Sequence, residues 1–581
     1  IPFPGNYIGY PFVSFCSRKG LLYTAADKMF MEFNPVENRF TYHKQLDTKE
    51  HIVGFSFAED KEGNIYFGSY PGCRLFRHNP ITREFVDYER MDDFGMYMDY
   101  IAVDDCGWVY MGVGTEKKGI IAYNLATREK RQMCSEEERT RGSAYVHKGN
   151  DGFVYGHMAL DDVKDPKFDC QNLKYVNEWK KMHNGKVMDV DFTDVSPSHN
   201  YYNNFGSIHS PFIKPSIIIE YQLSENELVY IHPVTHEETS IRLEYETPGA
   251  GLAPMVAGPD GKLYGTSHHP MHFYCYDPDK EQIHNYGGKV YQEGGGGNVC
   301  AYAIQGSIIG GAAYYGGKVH IYDTSKPIEI DEQKIKNYRN PKLVAVHEDI
   351  LRPRCAAAHI DGESLIFGGF GVNGGTGGGL CIYNIRTGED VVIKNKELLI
   401  YHSTLCMRVL KDGSLIAGTS TFSPCGGHPK VVEGEIYIMD WKTRKVIYRG
   451  VPIPGEPEIS LMEIDNSQFI HCITSKSIYF VFDPLSKEVL HKQDLSSLGR
   501  VVRDGLVKRS DGLIYGVLSK GIFSIEPENY TVKLIAMPPI EATAGMALIR
   551  DRIYFAGGSP EKINFKELAG AGTHLWSYKL K

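Results

Sequence analysis

An all-β fold built from repeated four-stranded units is predicted by three recurrences in the 581-residue sequence. The first is a turn glycine followed by alternating apolar residues and then small ones: GNIYFGS at 63, GWVYMGV at 107, GFVYGHM at 152, GKLYGTS at 261, GSLIAGTS at 413 and GLIYGVL at 512. The second lies just upstream, where FSFAEDKEG, YVHKGNDG, MVAGPDG, RVLKDG and LVKRSDG each read as a strand running into a DG or EG turn. The third lies about ten residues downstream, where FNPVENRF, RHNPITREF, YNLATREK, YDPDKEQ, YDTSKP, YNIRTGED, MDWKTRK, FDPLSKEV and IEPENYTV read as strand, Asx or Pro turn, strand. Period-two alternation bounded by Gly, Asn, Asp and Pro marks short antiparallel strands. Four of them per unit make one β-propeller blade.

With the first strand as marker, units begin near residues 12, 51, 96, 143, 249, 297, 355, 404, 458, 503 and 543. Most intervals are about 40 to 57 residues, the length of a blade. The interval from 143 to 249 is longer and reads as a blade carrying an insertion over 159–216. Eleven units exceed the four to eight blades of one ring. The sequence therefore predicts two rings, a region 12–328 and a region 351–581, joined by the charged stretch EIDEQKIKNYRNPKLVAVHEDI at 329–350. One seven- or eight-bladed ring with extra units is the alternative.

Composition agrees with this class. The 61 Gly and 38 Tyr fit a turn-rich β protein, and 42% hydrophobic with 23% charged residues fits a globular one. The net charge is −9 and no Lys/Arg run forms a basic stripe, which argues against nucleic acid as partner. No apolar run reaches the length of a membrane span. The chain begins at Ile1 without an initiator Met or a charged-then-apolar leader, so a processed or trimmed start is expected. The 12 Cys include no CxxC, and Cys300, Cys355 and Cys406 sit in apolar runs, which slightly favours a reducing compartment. A secreted or periplasmic location after loss of a leader stays open.

Through YDPDKEQ, YNIRTGED and FDPLSKEV the units resemble the superfamily of YVTN-type and pyrroloquinoline-quinone-type propellers, over nearly the whole chain. That superfamily includes enzymes, redox proteins and scaffolds, so the resemblance implies fold and leaves activity open. With four Trp, the sequence lacks the tryptophan-docking pattern of the quinone dehydrogenases, and WD dipeptides at the ends of units are absent.

Inner strands line the central funnel of a propeller, so their ionisable residues are the candidate site. Tyr145 and His147 lie in SAYVHKGNDG, with His157 in the next strand. Arg352, Arg354 and His359 lie in RPRCAAAHIDG, His402 and Arg408 in YHSTLCMRVLKDG, and Arg503 opens a later inner strand. An arginine that pairs with a uronate carboxylate acidifies the neighbouring C5 proton. A His or Tyr then removes that proton while another group protonates the leaving oxygen. This predicts a polysaccharide lyase acting by β-elimination, as some propeller enzymes are (oligogalacturonate and ulvan lyases), by analogy of fold. Arg354 would neutralise the carboxylate, His147 or His402 would be base and Tyr145 acid. Arg352, Arg408, His157, Tyr201 and Tyr202 would contact the glycan, the two tyrosines from the 159–216 insertion.

The turn HHPMH gathers His268, His269 and His272 and is the candidate divalent-metal site, although its spacing matches no zinc signature. GFGVNG at 369–374 matches GxGxxG formally, but no helix follows, so no dinucleotide is expected. MDDFG and VDDCG lack EF-hand spacing. The alternative function is a non-catalytic propeller scaffold that binds a protein or glycan partner through its mouth and the 159–216 insertion.

Overall fold

The computed structural model describes residues 14–26, 28–47, 49–158, 179–190, 218–222, 227–231, 235–242, 250–268, 271–291, 297–314, 316–330, 338–558 and 573–580. The repeat is local in origin. Between the first and second strands of successive sheets the chain makes a tight turn whose glycine has positive φ: +87° at Gly63, +82° at Gly107, +84° at Gly152 and +77° at Gly261. Only a residue without Cβ takes that conformation freely. An aspartate just before the glycine fixes the turn. Asp60 Oδ1 accepts the amide of Asn64 at 2.8 Å and its Oδ2 accepts the Tyr66 hydroxyl at 2.9 Å. Asp104 does the same for Trp108 and Tyr110, each at 3.0 Å. Asp151 holds Tyr155 at 2.6 Å and Asp260 holds Tyr264 at 2.8 Å.

Twelve antiparallel sheets are present among the described residues, nine of four strands, one of five and two of three. Their first strands begin at 14, 51, 95, 145, 218, 251, 298, 352, 403, 459, 501 and 542. These positions follow the predicted starts closely, with one addition. The long interval 143–249 holds two sheets, one over 145–187 and one over 218–242. Lys180–His183 and Lys186–Val187, inside the predicted insertion, are the third and fourth strands of the earlier one. Asn184 and Gly185 join them with φ of 50° and 66°, the left-handed pair of an Asn-Gly hairpin turn. Residues 159–178 and 191–216 of the insertion, Tyr201 and Tyr202 among them, lie outside the described residues.

The chain divides into two compact units, one built mainly from residues 1–246 and the other mainly from 247–581. The stretch 329–350 does not separate them. Its Lys342–Val346 is the fourth strand of the sheet that starts at Asn298, and Glu348–Ile350 is a 3-10 turn. Outer strands are half-exposed, so their sequences carry charges and resemble linkers.

In the first unit, the sheets at 14–45, 51–90, 95–132 and 145–187 pack in succession through apolar clusters. In the second unit seven sheets do so, and their order is cyclic. Ile416 and Ile438 of one sheet meet Ile470 and Phe480 of the next, and Met255, Leu263 and Tyr274 of the first sheet meet Ala544, Ala547, Ile549 and Tyr554 of the last. The first strands Gly251–Ala257, Asn298–Gln305, Arg352–Ala358, Ser403–Val409, Ile459–Ile464, Val501–Lys508 and Ala542–Ile549 contact one another in turn, and the last contacts the first. Each of the seven carries a register shift against its second strand. Such bulges raise the local twist where strands crowd together.

Two losses of stability are expected in urea unfolding. Gly261→Ala meets no atom within 4 Å, so its cost is backbone strain alone, about 1 kcal/mol. Phe480→Ala, at a fully buried position between two sheets, should cost about 3–5 kcal/mol.

Candidate functional site

The sequence-predicted residues fall into two groups. In the first unit, cross-strand pairing sets Tyr145 opposite His157 and His147 opposite Tyr155. Tyr145 lies 5.4 Å from His147 and 5.2 Å from His157 between ring centroids. Trp179 stands edge-on to both histidines, at 5.3 and 4.6 Å. Tyr145, His147 and His157 are all 0% exposed. Burial, reinforced by His147 and Lys118, pushes the His157 imidazole down to about 4, so it is neutral at pH 7. These three lie together in a closed aromatic core.

Apart from Tyr201 and Tyr202, which lie outside the described residues, the remaining predicted residues belong to the second unit. Arg352 stacks its guanidinium over Tyr314 at 5.1 Å and Arg354 over Phe370 at 5.3 Å. His402 is buried, with Nδ1 3.0 Å from Thr419 Oγ1 and Nε2 3.4 Å from Glu435 Oε1. Burial lowers its pKa against the opposing pull of Glu435. Glu435 itself accepts two bonds from Arg449, at 2.8 and 2.6 Å. His359 stacks on Trp441 at 3.8 Å and hydrogen-bonds the Gly413 carbonyl of the next sheet at 2.9 Å, which makes it a tie between sheets. Neither unit by itself holds the combination of Tyr145, His147 and Arg354 that elimination calls for.

The convergent polar cluster of the second unit is a different one. Arg408 makes a two-pronged bond to Glu463 on the adjacent first strand, Nη2–Oε2 at 2.9 Å and Nε–Oε1 at 3.2 Å. Burial opposes ionisation of Glu463, yet the Arg408 guanidinium holds its carboxyl below the usual range. Arg503 and Asp504 lie in the widest of the seven register shifts, between Val501 and Leu506, with Asp504 at φ 56°. Arg503 reaches the Cys300 thiol of a strand that is not its neighbour in the cycle. The charge of Asp504 bears on Cys355 of another first strand, raising its thiol. The first strands therefore aim these groups at a common axis. Burial raises the Asp504 carboxyl to about 6, against the lowering pull of Arg503 and Arg408.

Arg408 was legible as an ionisable inner-strand residue, whereas Glu463 and Asp504 were missed. A signal existed for Glu463. CMRVL and LMEID occupy equivalent places two residues past the register shift, so aligned units show opposite charges at one position on neighbouring strands. Asp504 had none, because only the widened bulge turns it inward.

Among the described residues, no group of three or more His, Cys, Asp or Glu side chains is placed to bind a metal. His268 is exposed, His272 Nδ1 sits 3.2 Å from the Asn285 side-chain amide, and His269 lies outside the described residues. No helix is long and apolar enough to cross a membrane among the described residues.

The chain is a β-propeller repeat protein. No known protein family and no curated protein sequence matches it. Among solved structures, it is similar to the β-propeller domain of Cps50 (Swd1) from Myceliophteria thermophila, with a TM-score of 0.38 and 15% identity over 58% of this chain and 100% of that one.

The inner-strand cluster makes two expected outcomes measurable. Arg408→Met strands Glu463 as an uncompensated buried charge and should cost about 2–4 kcal/mol in urea unfolding, with Arg408→Met/Glu463→Leu recovering most of it. For Asp504 the folded carboxyl keeps its proton to about 6 while the unfolded one loses it near 4, so its contribution to stability is present at pH 4 and lost as pH rises to 6. Asp504→Asn, which tolerates the same backbone conformation, should abolish that part of the fall between pH 4 and pH 7.

Proposed function

We propose that the protein is a non-catalytic propeller scaffold whose second unit docks a protein partner on the loops at the end where its first strands begin. The observation that supports this reading most is a braced loop pair exposing large apolar side chains. The connection 394–402 and the loop 421–435 both serve the sheet at 403–450 and emerge at the same end of it. They expose Ile400, Tyr401, Phe422 and Val432, the last at 80%. These loops are held firmly. The Asn395 side-chain amide donates to the carbonyls of Gly378, Leu399 and His402 and its oxygen accepts the Tyr401 amide. Thr376 donates to the His428 carbonyl at 2.9 Å, and Cys425 packs against Leu351, Phe370 and Leu405. Apolar side chains held out in water on a rigid frame cost solvation that a docked partner recovers.

The glycan-lyase reading has less support. Its acid–base candidates Tyr145, His147 and His402 are all buried, and the guanidinium of Arg408, one of its glycan contacts, already bonds a carboxylate of this chain. Exposed aliphatic groups such as Ile400 and Val432 match a protein surface better than a sugar.

Two measurements test the proposal. Absorbance near 235 nm, where β-elimination creates an unsaturated uronate, should stay flat with a panel of uronate-containing glycans. A photo-crosslinking residue at position 401 should give a discrete protein adduct in extract of the native host, one that Phe422→Asp removes. The same residue at Leu485, exposed at the opposite end of the neighbouring sheet, should give none. A rising 235 nm trace, or equal adducts at both positions, overturns it.

A further inference from the structure

We propose that Cys106 and His183 form a reactive-thiol site on the first unit, one that takes soft sulfur electrophiles such as low-molecular-weight disulfides. The site is built by two turns. Cys106 lies in the turn between strands Gly95–Val103 and Trp108–Thr115, and His183 ends strand Lys180–His183 of the following sheet. The Cys106 thiol and His183 Nε2 are 3.5 Å apart, with Cys106 exposed and His183 half-buried.

Their approach is not a chance meeting of mobile side chains. Asp104 accepts the Cys106 amide at 2.9 Å through Oδ1 and the Asn184 amide at 2.8 Å through Oδ2, so one carboxylate holds both turns. The Tyr110 hydroxyl accepts the Gly185 amide at 2.8 Å. The Trp108 indole donates to the Asn184 side-chain oxygen at 3.1 Å, and Arg131, stacked on that indole at 4.5 Å, donates to the Gly185 carbonyl at 3.0 Å. Phe153 packs on the His183 imidazole at 4.7 Å. Five fixed contacts and a ring therefore pre-position the pair, and pre-positioning is what turns an ordinary thiol and base into a nucleophile.

Selectivity follows from exposure. Among the described cysteines Cys106 is the exposed one; Cys16 and Cys134 are half-buried and the others buried. Burial raises the thiols of Cys16 and Cys134, which holds them in the unreactive protonated form. The charged groups around the pair are few. Asp105 is paired with Lys148 at 2.7 Å and its carbonyl takes Lys61 at 3.2 Å, while Lys181, paired with Asp151, lies over Phe153 at 4.1 Å.

The step balances as a thiol–disulfide exchange. His183 Nε2 takes the Cys106 proton and the sulfur attacks one sulfur of the disulfide. A bond forms between Cys106 Sγ and that half as the original S–S bond breaks. The other half leaves with the bonding pair and accepts the proton from the imidazolium, so the disulfide is the oxidant and one free thiol is released.

The test is peptide-resolved mass spectrometry of the full chain treated at pH 7 with an aromatic disulfide, and separately with iodoacetamide, alongside a free low-molecular-weight thiol. Cys106 should react first and faster than the free thiol, and His183→Gln should slow it by about threefold to tenfold. An unchanged Cys134 rate reports that the variant is folded; if Cys134 accelerates, the wild-type rate against the free thiol alone decides. A Cys106 rate no greater than that of the free thiol, or one that His183→Gln leaves unmoved in a folded variant, overturns the proposal.

Discussion

Every sheet of the second unit is apolar on both faces, and this one constraint organises the rest. A four-stranded sheet of this kind cannot bury itself, so each face needs a neighbouring sheet, and the demand ends only when the order becomes cyclic. The cluster of Met255, Leu263 and Tyr274 with Ala547, Ile549 and Tyr554 is where that happens. The Arg550 guanidinium adds a two-pronged bond to Asp279 across the same junction, at 2.6 and 3.0 Å. Exposed as it is, that pair contributes little beside the buried side chains.

The chemistry of the inner strands follows from the packing. Seven first strands directed at one axis bring residues distant in sequence into mutual range, and ionisable groups there are tolerated only when paired. Arg408 and Glu463 satisfy each other across adjacent strands. Asp504, turned inward by a wide bulge, is compensated by two arginines and still rises to about 6. A funnel whose charges answer one another serves cohesion, which is why the outward loops and not the axis carry the binding proposal.

The aspartate–glycine turn has a second use. In most sheets its carboxylate steadies its own hairpin, as Asp260 does for Tyr264. At Asp104 the second oxygen reaches the next sheet's hairpin, and the same repeat element then holds Cys106 against His183. A structural repeat thus supplies the rigid frame on which one exposed thiol is placed.

The repeat itself was readable from residues alone, because a left-handed glycine after an aspartate and alternating apolar residues act within a few positions. Strand starts at 51, 251, 298, 403 and 459 follow from that local rule. So does the inward placing of Arg408. The Asn184-Gly185 hairpin obeyed the same rule and was absorbed into the predicted insertion because the sheet it completes is short. What residues alone could not decide is which units share a compact body, since a charged outer strand such as Lys342–Val346 looks like a linker. Nor could they show that Tyr145, His147 and His157 are core groups, that Glu463 answers Arg408, or that Cys106 meets His183. Each of those depends on the face a strand presents to a sheet formed tens of residues away. Local sequence determines a strand and its turn; burial and pairing across sheets are properties of the closed assembly.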